Sequence, residues 1–71
     1  MRFITIQTKF GETVAINTDN ITSIMMESVG HASWAMIYMS GDNPIPTQFT
    51  SIEHAIDYIQ RAPSVSLSNA A

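Results

Sequence analysis

Ser33-Trp34-Ala35-Met36-Ile37-Tyr38-Met39 is a run of seven residues in which only the first is a small polar residue. Because alternate residues of a strand point to opposite faces, Trp34, Met36 and Tyr38 share one face, and the residues between them share the other. Both faces are therefore apolar, and a strand of this kind is normally covered on both sides. The chain has room for one helix, so we expect the helix to cover one face and a partner molecule to cover the other.

The length of the chain, 71 residues, indicates one domain, which we assign to residues 1–62, followed by a flexible tail at residues 63–71. A single core of this size provides a stability of only about 3–5 kcal/mol unless disulfides, metal ions or association add to it. The chain contains no cysteine, which excludes disulfides and thiolate metal sites. We therefore expect association, and a homodimer is the simplest form because two-fold symmetry is the commonest.

Charged residues are few and mostly acidic. Three lysine and arginine residues stand against six aspartate and glutamate residues, and together they make up 13% of the chain, where about 25% is typical of globular domains. Nucleic-acid binding requires a cluster of basic residues, whereas Arg2, Lys9 and Arg61 are scattered along the sequence. We therefore predict no nucleic-acid partner, and a surface with so few charges favours a buried protein interface.

The sequence shows no signal for a membrane or for export. Its first residues lack the apolar run of a signal peptide, and no segment approaches the roughly 20 apolar residues that span a bilayer. With the absence of cysteine, these features predict a soluble cytoplasmic protein that contacts no membrane.

Alternating apolar residues and turn residues predict an antiparallel sheet of four or five strands in meander order. In the first strand, Ile4 and Ile6 share one face, and Gly11 then suits the turn of a hairpin. In the last strand, Pro46 cannot donate a hydrogen bond, which predicts a short strand at the sheet edge. Between the third and fourth strands we expect a loop at residues 28–32. The predicted strands span residues 2–8, 13–16, 21–27, 33–39 and 45–49.

A helix is predicted after the last strand. Thr50 and Glu53 have the spacing of a capping box, with Thr50 as the N-cap residue, and Pro63 marks the end of the helix. The apolar stripe of this helix comprises Ile52, Ala55, Ile56 and Ile59. The fold class is therefore α+β, with the C-terminal helix packed on one face of the sheet.

Thirteen positions of this sequence follow the pattern of small bacterial flagellar proteins of the FlbD-like type. Those proteins share the order of a hairpin, an Asn-x-Asp-x-Ile corner, a second hairpin and a C-terminal helix. The chain resembles them over roughly residues 3–60, at Gly11, Val14, Ile16, Asn17, Asp19, Ile21, Ile24, Gly41, Ser51, Ile52, Glu53, Ile56 and Ile59. This resemblance implies a small regulatory or accessory protein without catalytic activity, and it carries over no binding residue.

No combination of residues predicts catalysis or metal binding. His54 and Asp57 lie three residues apart on the predicted helix and could reach one ion, but zinc requires three or four protein ligands, and His31 lies in a distant loop. The serines lack the Gly-x-Ser-x-Gly pattern of hydrolases, and the glycines fall one to a loop instead of forming a phosphate-binding run. We therefore predict that the protein is not an enzyme and has neither a cofactor nor a metal site.

The expected contact surface lies on the two central strands. Tryptophan, tyrosine and methionine are enriched in protein interfaces, and methionine-rich strands make an adaptable contact surface. The residues assigned to this surface are Trp34, Met36, Tyr38, Met25, Met26 and Met39. We predict a small non-enzymatic protein-interaction or regulatory module of bacterial or phage type that forms a homo-oligomer and can bind a protein partner.

A small-ligand-binding protein is the alternative. In that case a nucleotide or metabolite would bind in an aromatic pocket at the oligomer interface, with His31 and Asn43 as polar contacts. The sequence leaves open which face of the strand at 33–39 would form the interface, because both faces are apolar.

Overall fold

A computed structural model of the chain describes residues 1–66. The predicted α+β architecture, with antiparallel strands and one C-terminal helix, is confirmed. The elements are β1 (Phe3–Gln7), β2 (Thr13–Asn17), β3 (Ile21–Val29), β4 (Ala32–Met39), β5 (Ile45–Pro46) and α1 (Ile52–Arg61), and a 3-10 turn at Thr18–Asn20 joins β2 to β3. Every paired strand neighbours the strand next to it in the sequence, as in a meander, but the five strands form two sheets, β1-β2 and β3-β4-β5.

The two sheets meet where the end of β1 approaches β5. Thr8 and Thr47 form an isolated antiparallel bridge, and the N–H of Lys9 donates to the carbonyl of Pro46 at 2.9 Å. In an antiparallel strand the N–H and C=O of one residue point to the same side, so the N–H that Pro46 lacks is the one that would face β1. The ladder between the two sheets therefore stops at this pair, and the sheet that the sequence predicted as continuous is divided here.

The core lies between the inner faces of both sheets and the helix. Its buried hydrophobic residues are Ile4, Ile6, Ile16, Ala35, Ile37, Ala55 and Ala62. The predicted inward face of the first strand is confirmed, since Ile4 and Ile6 are almost fully buried. Only isoleucine and alanine side chains contribute to this buried set, so the core is small, as the length of the chain leads one to expect.

A β-bulge sets the direction of the side chains on β3. Ile21 and Ile24 lie three residues apart, yet both pack against the core, whereas residues three apart in a regular strand point to opposite faces. The pairing with β4 shifts between Ile21 and Ser23, which leaves Thr22 as an extra residue in the strand. The bulge thus turns both isoleucines inward and leaves Ser23 and Met25 on the opposite face.

The connection between β3 and β4 is a tight hairpin, and the prediction of a five-residue loop at 28–32 is wrong. Val29 pairs directly with Ala32, so only Gly30 and His31 lie in the turn. Gly30 has a φ of +61°, the conformation that a type II′ turn requires at its first central position. A Gly-X pair between apolar strands was the available signal for this turn.

The N-cap of α1 is Ser51, and the prediction of Thr50 as N-cap is wrong by one residue. Ser51 has an extended backbone (φ −149°, ψ 156°), and its hydroxyl accepts a hydrogen bond from the N–H of His54 at 3.1 Å. The residue three positions after the cap is therefore His54 and not Glu53, so the reciprocal carboxylate bond of a capping box does not form. Glu53 instead lies in the first turn, where a negative charge favours the helix dipole.

The buried side of α1 also differs from the predicted stripe. Ile56 is 41% exposed, whereas Ala55 and Ala62 are buried, and Tyr58 and Ile59 pack against the core. Ala55, Tyr58 and Ile59 keep the spacing of an amphipathic helix, and Ala62 follows directly after its end. The stripe is thus rotated toward Tyr58 and away from Ile56.

Polar contacts from the chain start fasten the helix to the rest of the fold. The Arg2 guanidinium donates to the carbonyls of Ile59 at 2.8 Å and Ala62 at 2.5 Å, where the C-terminal end of a helix is partly negative. The Tyr58 hydroxyl donates to the carbonyl of Thr5 at 2.6 Å. Side-chain hydrogen bonds therefore connect the helix to the chain at two places, one just before β1 and one within it.

The segment after the helix, predicted as a flexible tail at 63–71, is described only as far as residue 66. Within that part, the N–H of Val65 donates to the carbonyl of Phe3 at 2.8 Å. Residues 67–71 lie outside the described residues.

Candidate interaction surface

One face of the β3-β4 hairpin points away from the core, and we call it the outward face. It comprises Met25 and Glu27 of β3 with Trp34, Met36 and Tyr38 of β4. Across the two strands, Met25 pairs with Met36 and Glu27 pairs with Trp34, and directly paired residues lie on the same side of a sheet. The outward face is therefore a contiguous group of large side chains with one carboxylate among them.

The core side of β4 explains why these residues point outward. Ala35 and Ile37 are fully buried, and Met39 packs against the core. Because alternation is strict in this part of the strand, Trp34, Met36 and Tyr38 must lie on the other side. The structure thus distinguishes the two apolar faces, which the sequence alone could not do.

Contacts within the outward face hold its aromatic side chains in place. The ammonium of Lys9 lies over the Trp34 ring, 3.1 Å from its centroid, in a cation–π arrangement. At the edge of the ring, Trp34 Nε1 donates to the Sδ atom of Met36 at 3.2 Å. The Tyr38 hydroxyl lies 3.5 Å from Glu27 Oε2, a long and weak contact. The indole is therefore fixed on two sides before any partner binds.

Exposed apolar side chains continue around this face. Met25 is 51% exposed in the centre of the hairpin, and Val29 is 72% exposed near its tip. Phe10, in the turn beside Lys9, is 74% exposed. Single exposed apolar residues are common, but a contiguous group of them is typical of an interaction site.

The remaining two methionines of the predicted surface lie elsewhere. Met26 pairs with Ala35 across the strands and so shares the inward face, where it is half-buried. Met39 also faces inward and packs against the core. Of the six residues assigned to one contact surface, the structure brings Trp34, Met36, Tyr38 and Met25 together and separates the other two from them.

The two polar residues of the ligand-binding alternative lie at opposite ends of β4. His31 is in the turn that precedes the strand, and Asn43 is in the turn that follows it. With about 3.4 Å per residue, a strand of this length separates them by roughly 25 Å. One small ligand cannot contact both residues within a single copy.

Two open grooves lie away from the outward face. One, of about 270 Å³, lies between the first hairpin and the end of β4, and its lining includes Phe3, Ile16 and Met39. The other, of about 400 Å³, lies beside Phe49 and Tyr58, whose rings pack with centroids 5.2 Å apart. Phe49 thus packs against the helix, away from Trp34.

The histidines and carboxylates are dispersed over the structure. Asp57 pairs with Arg61 on the exposed side of α1 at 2.7 Å, and His54 uses its backbone N–H in the helix cap. No group of three or more histidine and acidic side chains converges anywhere in residues 1–66. Over the same residues, no helix has the length and apolar character needed to cross a membrane.

Sequence reasoning missed two charged residues of the outward face, Lys9 and Glu27. Glu27 could have been found, because it lies two residues beyond Met25 and therefore shares its side of the strand. Lys9 carries no such signal, since only the tertiary structure brings the first turn over Trp34.

Comparisons with protein-family models, with curated proteins and with solved structures each found no match to this chain.

Proposed function

We propose that this protein is a small non-enzymatic interaction module that works as a homodimer joined through the outward face. The observation that supports this most directly is the position of the large apolar side chains. Trp34, Met36 and Met25 lie on the exposed side of the sheet, while the buried side carries the smaller Ala35 and Ile37. Covering such a face removes apolar area from water, which is the main driving force for association.

The composition of the face supports a protein partner. Tryptophan and tyrosine are the residues that most often dominate binding energy at protein interfaces, and methionine fills irregular contacts easily. The Trp34 ring is already fixed by Lys9 and Met36. An anchor that is rigid before binding loses less conformational entropy on association.

The small core supports the same proposal. Its largest fully buried side chains are Ile4, Ile6, Ile37 and Thr47, and a core of this extent gives a single copy only a small free energy of unfolding. A second copy on the outward face would enlarge the apolar area buried per chain. The resemblance to FlbD-like proteins agrees with this class of function, because it implies a regulatory or accessory protein without catalytic activity.

The test is the mass of the protein in solution after replacement of Met25 by glutamate. Met25 is half exposed in a single copy, so Met25→Glu should leave the folded chain intact but bury a charge in the dimer, which is strongly unfavourable. Ile56→Glu is the matched control, because Ile56 is similarly exposed but lies on the helix. We expect light scattering to give the dimer mass for the wild type and for Ile56→Glu, and the monomer mass for Met25→Glu.

Trp34 provides a second readout, because it is the sole tryptophan of the chain. On dilution of the wild type, its fluorescence emission should shift to longer wavelength as the dimer separates and water reaches the ring. The Met25→Glu variant should show the long-wavelength emission at all concentrations. A wild type with the mass of one chain at millimolar concentration would overturn the proposal.

A further inference from the structure

We infer that the two copies are related by a two-fold axis running along β4, so that Lys9 of each copy pairs with the partner's Glu27. This inference rests on the proposed function, since it specifies how the outward faces meet. It assigns a role to two charges that flank Trp34 and that have no ion-pair partner within residues 1–66.

The two charges lie on opposite sides of the same strand. Glu27 is on β3 and pairs directly with Trp34. Lys9 reaches Trp34 from the other side, because its backbone N–H bonds to Pro46 of β5, and β4 lies between β3 and β5. At the level of Trp34, the face therefore carries a negative charge on one side of β4 and a positive charge on the other.

A two-fold axis along β4 exchanges these two sides. When two identical faces meet about such an axis, whatever lies to the left of β4 in one copy meets what lies to the right in its partner. Lys9 then faces the partner's Glu27, and Glu27 faces the partner's Lys9, while Trp34 lies near the axis. The arrangement forms two symmetric ion pairs at the edges of an apolar contact.

A two-fold axis that lies in the plane of the interface and crosses β4 at right angles near Trp34 gives the opposite result. Such an axis places β3 of one copy opposite β3 of its partner. Lys9 would then meet the partner's Lys9, and Glu27 would meet the partner's Glu27. Like charges placed together across an interface disfavour association. The charge distribution therefore selects the axis along β4 between the two.

Charge reversal tests this geometry. Lys9→Glu places two negative charges at each predicted pair, and Glu27→Lys places two positive charges there, so each variant should dimerise about tenfold or more weakly than the wild type. The double variant, Lys9→Glu with Glu27→Lys, restores opposite charges and should recover dimerisation. Lys9 and Glu27 are both exposed, so each chain should fold, which circular dichroism verifies.

The single reversals distinguish the two axes, because the perpendicular axis pairs like charges in the wild type and in each variant alike. Mixing the two single variants tests separately that the charges meet between copies. In a mixed dimer, the glutamate introduced by Lys9→Glu would face the lysine introduced by Glu27→Lys, and the unchanged Glu27 would face the partner's Lys9, so both pairs are attractive. Native mass spectrometry of the mixture should show the heterodimer in excess over both homodimers. An ion pair within one chain would give no such recovery on mixing. If Lys9→Glu does not fold, Lys9→Gln takes its place, and the heterodimer with Glu27→Lys is still expected in excess.

The outcomes separate this inference from the proposed function. If the wild type is a dimer that Met25→Glu dissociates, but the mixed variants form no excess of heterodimer, the axis assigned here is wrong and the interaction face stands. If the charge variants all dimerise like the wild type, the two charges do not meet and the inference is overturned. A monomeric wild type overturns both.

Discussion

Two buried threonine hydroxyls lie at the joint between the sheets. Thr47 Oγ1 donates to the carbonyl of Ala35 at 2.8 Å and accepts from the N–H of Phe49 at 3.2 Å. Thr8 Oγ1 accepts from the backbone N–H groups that follow it in the first turn. These side chains complete the backbone hydrogen bonding at the point where the ladder stops, because buried polar groups that lack a partner are costly.

Replacing Thr47 by valine should therefore destabilise the fold. Valine has nearly the same shape, but it leaves the Phe49 N–H without its acceptor, and we expect the free energy of unfolding to fall by about 1–3 kcal/mol. The control is Thr22→Val, which removes an exposed hydroxyl that also donates to a backbone carbonyl and should change stability by less than about 0.5 kcal/mol. Urea denaturation measures both, and equal stabilities for the two variants would contradict the role given to Thr47.

At the scale of the element, the helix shows how a sequence motif can be displaced by one residue. Thr50 and Ser51 both have side chains that can cap a helix, and the pairing of Thr50 with Glu53 favoured the first of them. The structure uses Ser51. The inward side of the helix is a separate matter, because it depends on how the whole helix packs, and this packing brings Tyr58 inward and turns Ile56 outward.

Alanine substitutions at the two candidate caps distinguish these positions. Ser51→Ala removes the acceptor for the His54 N–H and should lower the free energy of unfolding by about 1 kcal/mol. Thr50→Ala should change it by less than about 0.5 kcal/mol, because Thr50 is exposed and lies outside the cap. Denaturant titration of both variants decides the matter: the larger loss at Thr50 would show that the helix begins one residue earlier.

The sequence carries a local signal for the turn of the second hairpin. The bulge in β3 has no such signal, and it follows from which residues of the strand face the core. Ile21 and Ile24 cannot share a face in a regular strand, so their joint burial requires an inserted residue. Gly30 offers the positive φ that a two-residue turn needs. The position of the bulge at Thr22, in contrast, depends on the pairing with β4, which is a property of the whole sheet.

At the scale of the whole molecule, association and stability are coupled. If the outward face closes a dimer, the folded state is stabilised by mass action, and the midpoint of thermal unfolding depends on protein concentration. We expect Tm of the wild type to rise with concentration, by about 4–8 °C for each 1 kcal/mol gained in a domain of this size. Calorimetry over a hundredfold concentration range measures this. Met25→Glu should show a constant Tm, and a constant Tm for the wild type would argue against coupled association.

The sequence by itself determined the elements of this protein. The β-strands at Phe3–Gln7 and Thr13–Asn17, the short strand with Pro46 and the helix that ends before Pro63 follow from local periodicity and turn residues, which act over a few neighbouring positions. The same local signals predicted that the strand at 33–39 would be apolar on both faces.

Only the tertiary structure decided which of those faces is the core and which is exposed. Local alternation gives two equivalent faces, and the choice depends on what packs against them. The inner face carries Ala35 and Ile37, which are fully buried in a core of small side chains, and a tryptophan between two small sheets would overfill that space. Trp34 is therefore directed outward, where Lys9 from a distant turn lies over it.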